Sequence, residues 1–249
     1  MKKVKLLFLS TLIFCTFSVH AFASDATGVT KSVETRTSTK SIDKKGNGVH
    51  HEIETVDDMR VIATVWQRYM QEHPNASEEE QEAFLKKYEK EHGFSSAKDF
   101  HVTSSYGDLL PGYNRLNKVE RNLAKKNATQ AAKVYICASD ATGYTMDYYG
   151  YDGYQDNSDA FRHCCWNALM KKEIGFNAAV QWATAHESDQ SGIDKEMDLF
   201  NNVVGRNIDV EGKNKAQIAK KVKAKVKKGK CRRISNNTLV ATDGAGLIK

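Results

Sequence analysis

Residues 159–170, DAFRHCCWNALM, constrain the fold most, because they place charged side chains inside an otherwise apolar helix. Helical spacing puts Phe161 and Cys164 on one side of this helix and His163 and Trp166 on the other. Both sides are apolar enough to be buried. A helix buried on both sides needs other helices around it, so the sequence predicts a mainly α domain built as a helical bundle.

Helical periods recur along the chain and are bounded by capping residues. Ser77 begins a capping box, and Ser158 and Asn177 are candidate caps of two later helices. Gly175 ends the helix between them. The apolar stripe changes sides at residues 125–127, which predicts a break or kink there. The predicted helices cover residues 57–72, 78–93, 117–139, 159–174, 178–187, 193–208 and 215–228.

The remaining segments divide the chain into regions. Apolar and polar side chains alternate in parts of residues 24–56, which predicts a short N-terminal β-hairpin, with disorder as the alternative. Residues 140–156 form a predicted loop whose tyrosines either pack or bind sugars, lipids or proteins. Residues 239–248 predict a C-terminal strand or hairpin. The predicted regions are a signal peptide (1–23), a polar segment (24–56), a small helical hairpin (57–110) and a helical candidate catalytic domain (111–249).

Residues 1–23 have the three parts of a secretory signal peptide. Three lysines among the first five residues precede a mostly apolar run at 6–19, and residues 21–23 read as an A-x-A cleavage site. The apolar run is short and interrupted by polar residues, which favours a cleaved signal over a membrane anchor. We expect a mature chain that starts near Ser24, is periplasmic or secreted, and carries a net charge of +3 after the three lysines leave a chain of +6.

Four cysteines follow the predicted signal peptide: Cys137, Cys164, Cys165 and Cys231. An even number in an exported chain favours disulfides. Adjacent cysteines in a helix cannot bridge each other, so we expect Cys164 and Cys165 to pair separately with the other two, in either combination. A metal cluster is disfavoured because the chain has no C-x-x-C spacing. The prediction is therefore a bundle stabilised by disulfides.

Three consecutive predicted helices bring titratable residues to sides that are otherwise apolar. Asp159 and His163 lie one turn apart, His186 and Glu187 end the next helix, and Asp198 borders the apolar stripe of the third. Isolated buried charges are costly, so these groups should converge. A cluster of His163, His186, Glu187 and Asp198 could activate a water by acid–base catalysis, or bind a divalent ion such as zinc or manganese. A structural network, with Arg162 paired to Asp198, is the alternative.

Residues 213–233 form a basic segment that contains no acid. Such a segment suits anionic lipid, a cell-wall polymer or nucleic acid, with a merely solvated basic face as the alternative. No aromatic residue interrupts it, so base stacking is not indicated. Its cations are Lys213, Lys215, Lys220, Lys221, Lys223, Lys225, Lys227, Lys228, Lys230, Arg232 and Arg233.

The residues at 157–163, 166–170, 185–187 and 197–206 resemble a poorly characterised bacterial domain family of secreted, cell-surface and polymorphic-toxin-like proteins. Its pattern reads D-A-F-R-H, W-x-A-L, A-H-E and M-D-L-x-N-N-x-x-G-R. The resemblance supplies no established reaction. The family positions of Cys164 and Cys165 are not usually cysteine, which argues against a cysteine nucleophile. The resemblance implies that one site contains Arg162, His163, His186, Glu187, Asp198, Asn202 and Arg206.

We therefore expect an exported, toxin- or effector-like hydrolase that acts on an envelope component, phospholipid or peptidoglycan. His163 or His186 would be the general base, and Glu187 and Asp198 would orient it or hold a metal. A non-enzymatic surface-binding module and a secreted nuclease are the alternatives, and an immunity protein is a candidate partner. The catalytic hypothesis fails if the side chains of His163 and His186 lie more than about 8 Å apart with no cleft between them. Arg162 and Asn202 would bind an anionic or carbonyl oxygen of the substrate. Arg206 and Asp159 are further candidate substrate-binding residues.

Overall fold

The computed structural model describes residues 53–94 and 116–248, which lie in one compact unit. These residues form helices and one antiparallel hairpin, so the mainly α prediction is confirmed. No helix among them is long and apolar enough to cross a bilayer. The predicted signal peptide and most of the 24–56 segment lie outside the described residues. The elements are α1 (Val56–Glu72), α2 (Glu78–His92), α3 (Lys118–Lys126), α4 (Ala128–Tyr149), α5 (Asn157–Ile174), α6 (Phe176–His186), α7 (Gly192–Arg206), α8 (Lys215–Lys227), β1 (Arg232–Ser235) and β2 (Thr238–Ala241).

Helix α5 is the centre of this architecture. Every residue from Asn157 to Met170 is buried, and the helix packs against α4, α6, α7 and α8. The pair α1 and α2 packs on α4, so both parts of the described chain share one apolar core. The prediction of a central helix with two buried sides is confirmed.

Several helix boundaries follow the capping residues that the sequence indicates. Ser77 accepts the Glu80 backbone N–H at 3.2 Å, and the Ser77 N–H donates to the Glu80 carboxylate at 2.7 Å, which starts α2. Asn127 separates α3 from α4 and caps the start of α4, as the predicted break requires. Gly175 ends α5. The N-cap of α5 is Asp156 rather than Ser158.

Helix α4 is longer than predicted. The sequence predicted a tyrosine- and glycine-rich loop from residue 140, but this segment is helical as far as Tyr149. Gly150, in the left-handed region at φ +78°, ends the helix. Ala141, Thr145 and Tyr149 lie at four-residue steps and are all buried. Burial of this stripe against the core outweighs the low helix propensity of the segment.

Gly205 lets α7 approach α5 closely, as its place in mid-helix predicts. A Cβ at this position would overlap the carbonyl oxygen of Cys164 on α5. The contact holds the polar side of α7, with Asp198 and Asn202, directly against the polar residues of α5.

The predicted disulfides are not formed. Cys137, Cys164, Cys165 and Cys231 are free and fully buried, where thiols pack as small apolar groups. Burial raises the pKa of the Cys164 thiol, and Cys231 lies near enough to hydrogen-bond with it. Close packing around α5 therefore replaces the covalent stabilisation that the even cysteine count suggested.

The chain ends in a β1–β2 hairpin, where the sequence predicted a strand or hairpin only from residue 239. Arg232 pairs with Ala241 and Ser235 with Thr238. Asn236 and Asn237 form the two-residue turn with φ of 50° and 55°, a conformation that asparagine tolerates well. Strand β1 was missed because its arginines belong to the basic segment.

Candidate active site

His163 lies at the centre of a buried cluster of carboxylates. Its Nε2 atom is 3.4 Å from an oxygen of Asp159, one turn away on α5, and 3.4 Å from an oxygen of Asp198 on α7. One ligand atom from each of these residues lies within 4.8 Å of the other two. None of the three residues is more than 6% exposed. The sequence predicted that Asp159 and Asp198 would both lie near His163, and the structure places both carboxylates on the same ring nitrogen.

Glu187 faces the opposite ring nitrogen. Its Oε1 atom is 3.7 Å from His163 Nδ1 and accepts a hydrogen bond from Asn202 Nδ2 at 3.0 Å. Glu187 and Asn202 are fully buried. His163 is thus set between Glu187 on one side and the two aspartates on the other, which fixes the plane of the ring.

A chain of amide hydrogen bonds supports Glu187 from behind. Asn167 donates to the Asn202 side chain at 2.6 Å and to the His163 carbonyl at 3.1 Å, while Arg206 donates to Asn167 at 2.6 Å. Burial lowers the pKa of Arg206. Asn202 and Arg206 thus help to position Glu187, and their role in substrate binding stays a prediction. Asn167 was absent from the predicted site.

The electrostatics of the cluster are dominated by the acids around His163. Burial alone would lower the pKa of His163, but Asp198, Asp159 and Glu187 outweigh it and raise the pKa to about 9. Burial raises the pKa of Asp198 to about 6, against the opposing effect of His163. Burial also opposes ionisation of Asp159, yet its contacts with His163 and Arg162 leave its pKa lowered. The cluster therefore favours a positive charge at its centre.

Several polar atoms of the cluster have no hydrogen-bond partner among the described residues. They are His163 Nδ1, Asp198 Oδ1 and Glu187 Oε2. Buried polar groups are normally satisfied, because an unmade hydrogen bond costs about 1–3 kcal/mol. Three such atoms in one cluster indicate a site built to receive another group.

Arg162 does not pair with Asp198, as the structural alternative supposed. It donates to Asp159 at 2.7 Å, pairs with Asp152 and donates to the Gly153 carbonyl at 3.2 Å. The Gln155 N–H also donates to Asp159, at 2.6 Å. Arg162 thus joins the 150–156 segment to α5, while its buried Nε atom has no hydrogen-bond partner among the described residues.

His186 forms a second histidine–carboxylate pair beside the first. Its Nδ1 atom is 2.8 Å from Glu120 on α3, and its ring centroid is 6.5 Å from that of His163, inside the predicted limit. Burial would lower the pKa of His186, but the hydrogen bond with Glu120 raises it. Glu120 is buried and was missed, because in sequence it reads only as the capping-box partner of Asn117.

Residues 121–230 match the protein family described as "Domain of unknown function (DUF6973)". The matched range contains the whole His163 cluster and begins one residue after Glu120. The resemblance to a poorly characterised domain family is confirmed for this part of the chain, while the residue pattern stays a prediction. No curated protein and no solved structure matches the chain.

Proposed function

We propose that this protein is an exported, toxin- or effector-like hydrolase whose centre is a divalent metal site formed by Asp159, His163 and Asp198. The observation that carries the proposal is the pair of 3.4 Å separations at His163 Nε2. These distances are long for hydrogen bonds. They equal the spacing of two ligands in a tetrahedral site, since atoms about 2.1 Å from a metal are then about 3.4 Å apart.

The surroundings of the three ligands support a metal. Two carboxylates and one imidazole suit zinc or manganese, and the buried Asp198 Oδ1 atom has no hydrogen-bond partner among the described residues. A carboxylate on the far nitrogen of a histidine ligand is the usual arrangement in metal sites, and Glu187 occupies that place. The predicted ligand set changes accordingly: Asp159 joins it, Glu187 orients His163, and His186 lies beside it.

The roles of the protein groups follow from their contacts. A divalent ion in such a site lowers the pKa of a bound water and polarises an ester, amide or phosphoryl oxygen. His186, with its Nδ1 held by Glu120, is near enough to accept or donate a proton at a reacting centre beside His163. Asn202, Asn167 and Arg206 keep Glu187, and through it His163, in place. Envelope components, phospholipid or peptidoglycan, remain our substrate proposal, and the predicted signal peptide supports it.

The test combines metal content with activity. We expect the purified wild type to retain zinc or manganese by elemental analysis, to hydrolyse phospholipid vesicles or peptidoglycan, and to be toxic in the periplasm. Asp198→Asn and His163→Ala should lose the metal and both activities. Asp147→Asn, an exposed site on α4, is the matched control and should behave as wild type.

Two results would contradict the proposal. Equal activity and toxicity in the wild type and in Asp198→Asn would exclude the centre from catalysis. Absence of bound metal, with no binding when zinc or manganese is added, would exclude the metal site. Cleavage of nucleic acid in place of the envelope substrates would identify the nuclease alternative.

A further inference from the structure

Helix α7 has an apolar outer side that the core does not use. Phe200 and Val203 are 38% and 49% exposed. Asn207 continues the same side at the helix end and is also exposed. The Arg232 guanidinium lies 4.4 Å from the centre of the Phe200 ring. Phe200 and Val203 thus form a small exposed apolar patch on α7 beside Arg232.

A basic groove begins at Asn207, at the end of the exposed apolar stripe formed by Phe200 and Val203. It has a volume of about 530 Å³ and runs between the end of α7 and the later part of α8. Its one acid, Asp209, is engaged by Lys213 at 2.6 Å and Lys221 at 3.0 Å. The groove is lined by Asn207, Ile208, Asp209, Lys221, Ala224, Lys225, Lys228 and Lys230.

Three lysines of the groove remain available for an external anion. Lys225, Lys228 and Lys230 are exposed, and none forms an ion pair with an acid of the described chain. The buried side of α8, with Ile218, Val222 and Val226, points Lys225 outward, and the exposed Lys228 and Lys230 follow the end of the helix. The groove therefore concentrates positive charge at one end of an exposed apolar stripe.

We propose that the stripe (Phe200, Val203) and the groove lysines (Lys225, Lys228, Lys230) form one surface that binds an anionic lipid bilayer. Apolar side chains beside a lysine cluster suit the membrane interface, where the apolar groups enter the acyl boundary and the lysines meet headgroup phosphates. Nucleic acid fits this surface less well, because Phe200 is its single aromatic side chain and already has the Arg232 guanidinium over its ring, and no aromatic side chain lines the groove for base stacking.

The same helix would then connect the membrane with the His163 centre. The inner side of α7 carries Asp198 and Asn202 into the centre, while Phe200 and Val203 occupy its outer side. The bilayer contact does not depend on the proposed hydrolysis. A variant that loses vesicle binding but keeps its metal content can therefore be told apart from a variant with a defective catalytic centre.

Vesicle co-sedimentation tests the surface. The chain is used both in full and from Ser24, because the apolar residues 6–19 could bind lipid themselves. We expect binding to phosphatidylcholine vesicles that contain phosphatidylglycerol, little binding to phosphatidylcholine alone, and weakening by salt. The triple variant Lys225→Glu, Lys228→Glu, Lys230→Glu should bind roughly a hundredfold more weakly, since each lysine near an anionic surface contributes about fivefold.

Matched variants control for net charge and for loss of an exposed ring. Lys86→Glu, Lys87→Glu, Lys90→Glu makes the same charge change on exposed positions of α2 and should bind as wild type. Phe200→Ser with Val203→Ser should weaken binding at least tenfold, whereas Phe176→Ser, another exposed phenylalanine, should not.

Circular dichroism confirms that each variant is folded before binding is compared. Equal losses in the two lysine triples, binding unaffected by Phe200→Ser with Val203→Ser, or absence of binding to the anionic vesicles would each overturn the proposal. Binding of single-stranded DNA without binding of vesicles would also overturn it and would assign the groove to nucleic acid.

Discussion

The ring of His163 meets a carboxylate on both of its nitrogens, which sets the chemistry of the whole cluster. Glu187 faces one nitrogen at 3.7 Å and the two aspartates face the other at 3.4 Å. A neutral imidazole is needed to bind a metal, whereas the acids favour the protonated ring when no metal is present. Protons and metal ions should therefore compete for His163 Nε2.

The metal-free protein should lose stability in alkaline solution because of His163. The folded-state pKa of about 9 lies above the ordinary value of 6.5, so the folded protein holds a proton that the unfolded chain has released. The contribution of His163 to the free energy of unfolding is complete below pH 6.5 and disappears as the pH rises through about 9. Guanidinium unfolding after chelation should show this decline in the wild type and not in His163→Gln. Parallel curves for the two proteins would contradict the assignment.

His186 and its partner Glu120 offer a separate test. Burial lowers the pKa of His186 and the hydrogen bond with Glu120 raises it, so Glu120→Gln should bring the His186 pKa down. NMR titration of the imidazole resonances measures this directly. Glu173→Gln, on α5 and outside the described ion pairs, should leave the His186 titration in place. An unchanged His186 pKa in Glu120→Gln would mean that the pair does not form in solution.

At the scale of helices, the contact between α5 and α7 is what assembles the cluster. Asp159 and His163 come from α5, Asp198 and Asn202 from α7, and Gly205 allows the two backbones to approach. The separation of these helices fixes the 3.4 Å distance between His163 and Asp198. A methyl group between them should affect both stability and the site.

Two glycine-to-alanine variants separate this packing effect from helix propensity. Gly205→Ala should lower the free energy of unfolding by about 1–3 kcal/mol, because the added Cβ overlaps the Cys164 carbonyl. Gly143→Ala, in α4 with open space around its Cβ position, should raise it by about 0.5–1 kcal/mol. Chemical denaturation of both variants gives the comparison. Stabilisation by Gly205→Ala would show that α5 and α7 are not in close contact.

Across the described chain, one apolar core without disulfides joins α1 and α2 to the helices around α5. The four buried cysteines belong to that core. Their burial predicts how they react, because a thiol in an apolar environment ionises poorly. Burial raises the pKa of Cys165 beyond its ordinary range, and the same cause raises that of Cys137.

Thiol counting distinguishes a packed core from a cross-linked one. In the native protein, Cys137, Cys164, Cys165 and Cys231 should react slowly with a thiol reagent, and all four should react once guanidinium exposes them. Reducing agent should leave the denaturation midpoint unchanged. If none of these thiols reacts in the denatured, unreduced protein, the protein forms two disulfides after all.

The helices and most of their boundaries follow from residues close together in the sequence. These local signals include the capping box at Ser77, the break at Asn127, the glycine that ends α5 and the two buried sides of α5. Local signals suffice because hydrogen bonding within a helix links residues four apart. The convergence of His163 and Asp198 was predicted for a more general reason, the cost of isolated buried charge.

The partners of each polar side chain depended on how the helices cross. Arg162 reads equally well as a partner of Asp198 or of a substrate, yet it pairs with Asp152 and Asp159. Glu120 lies 66 positions from His186 in the chain, and only the packing of α3 on α6 brings them together. Helix periodicity reports which side of a helix is buried, and it carries no information about what that side will meet. The elements could therefore be inferred from the chain, whereas the chemistry of the His163 centre arose from their three-dimensional arrangement.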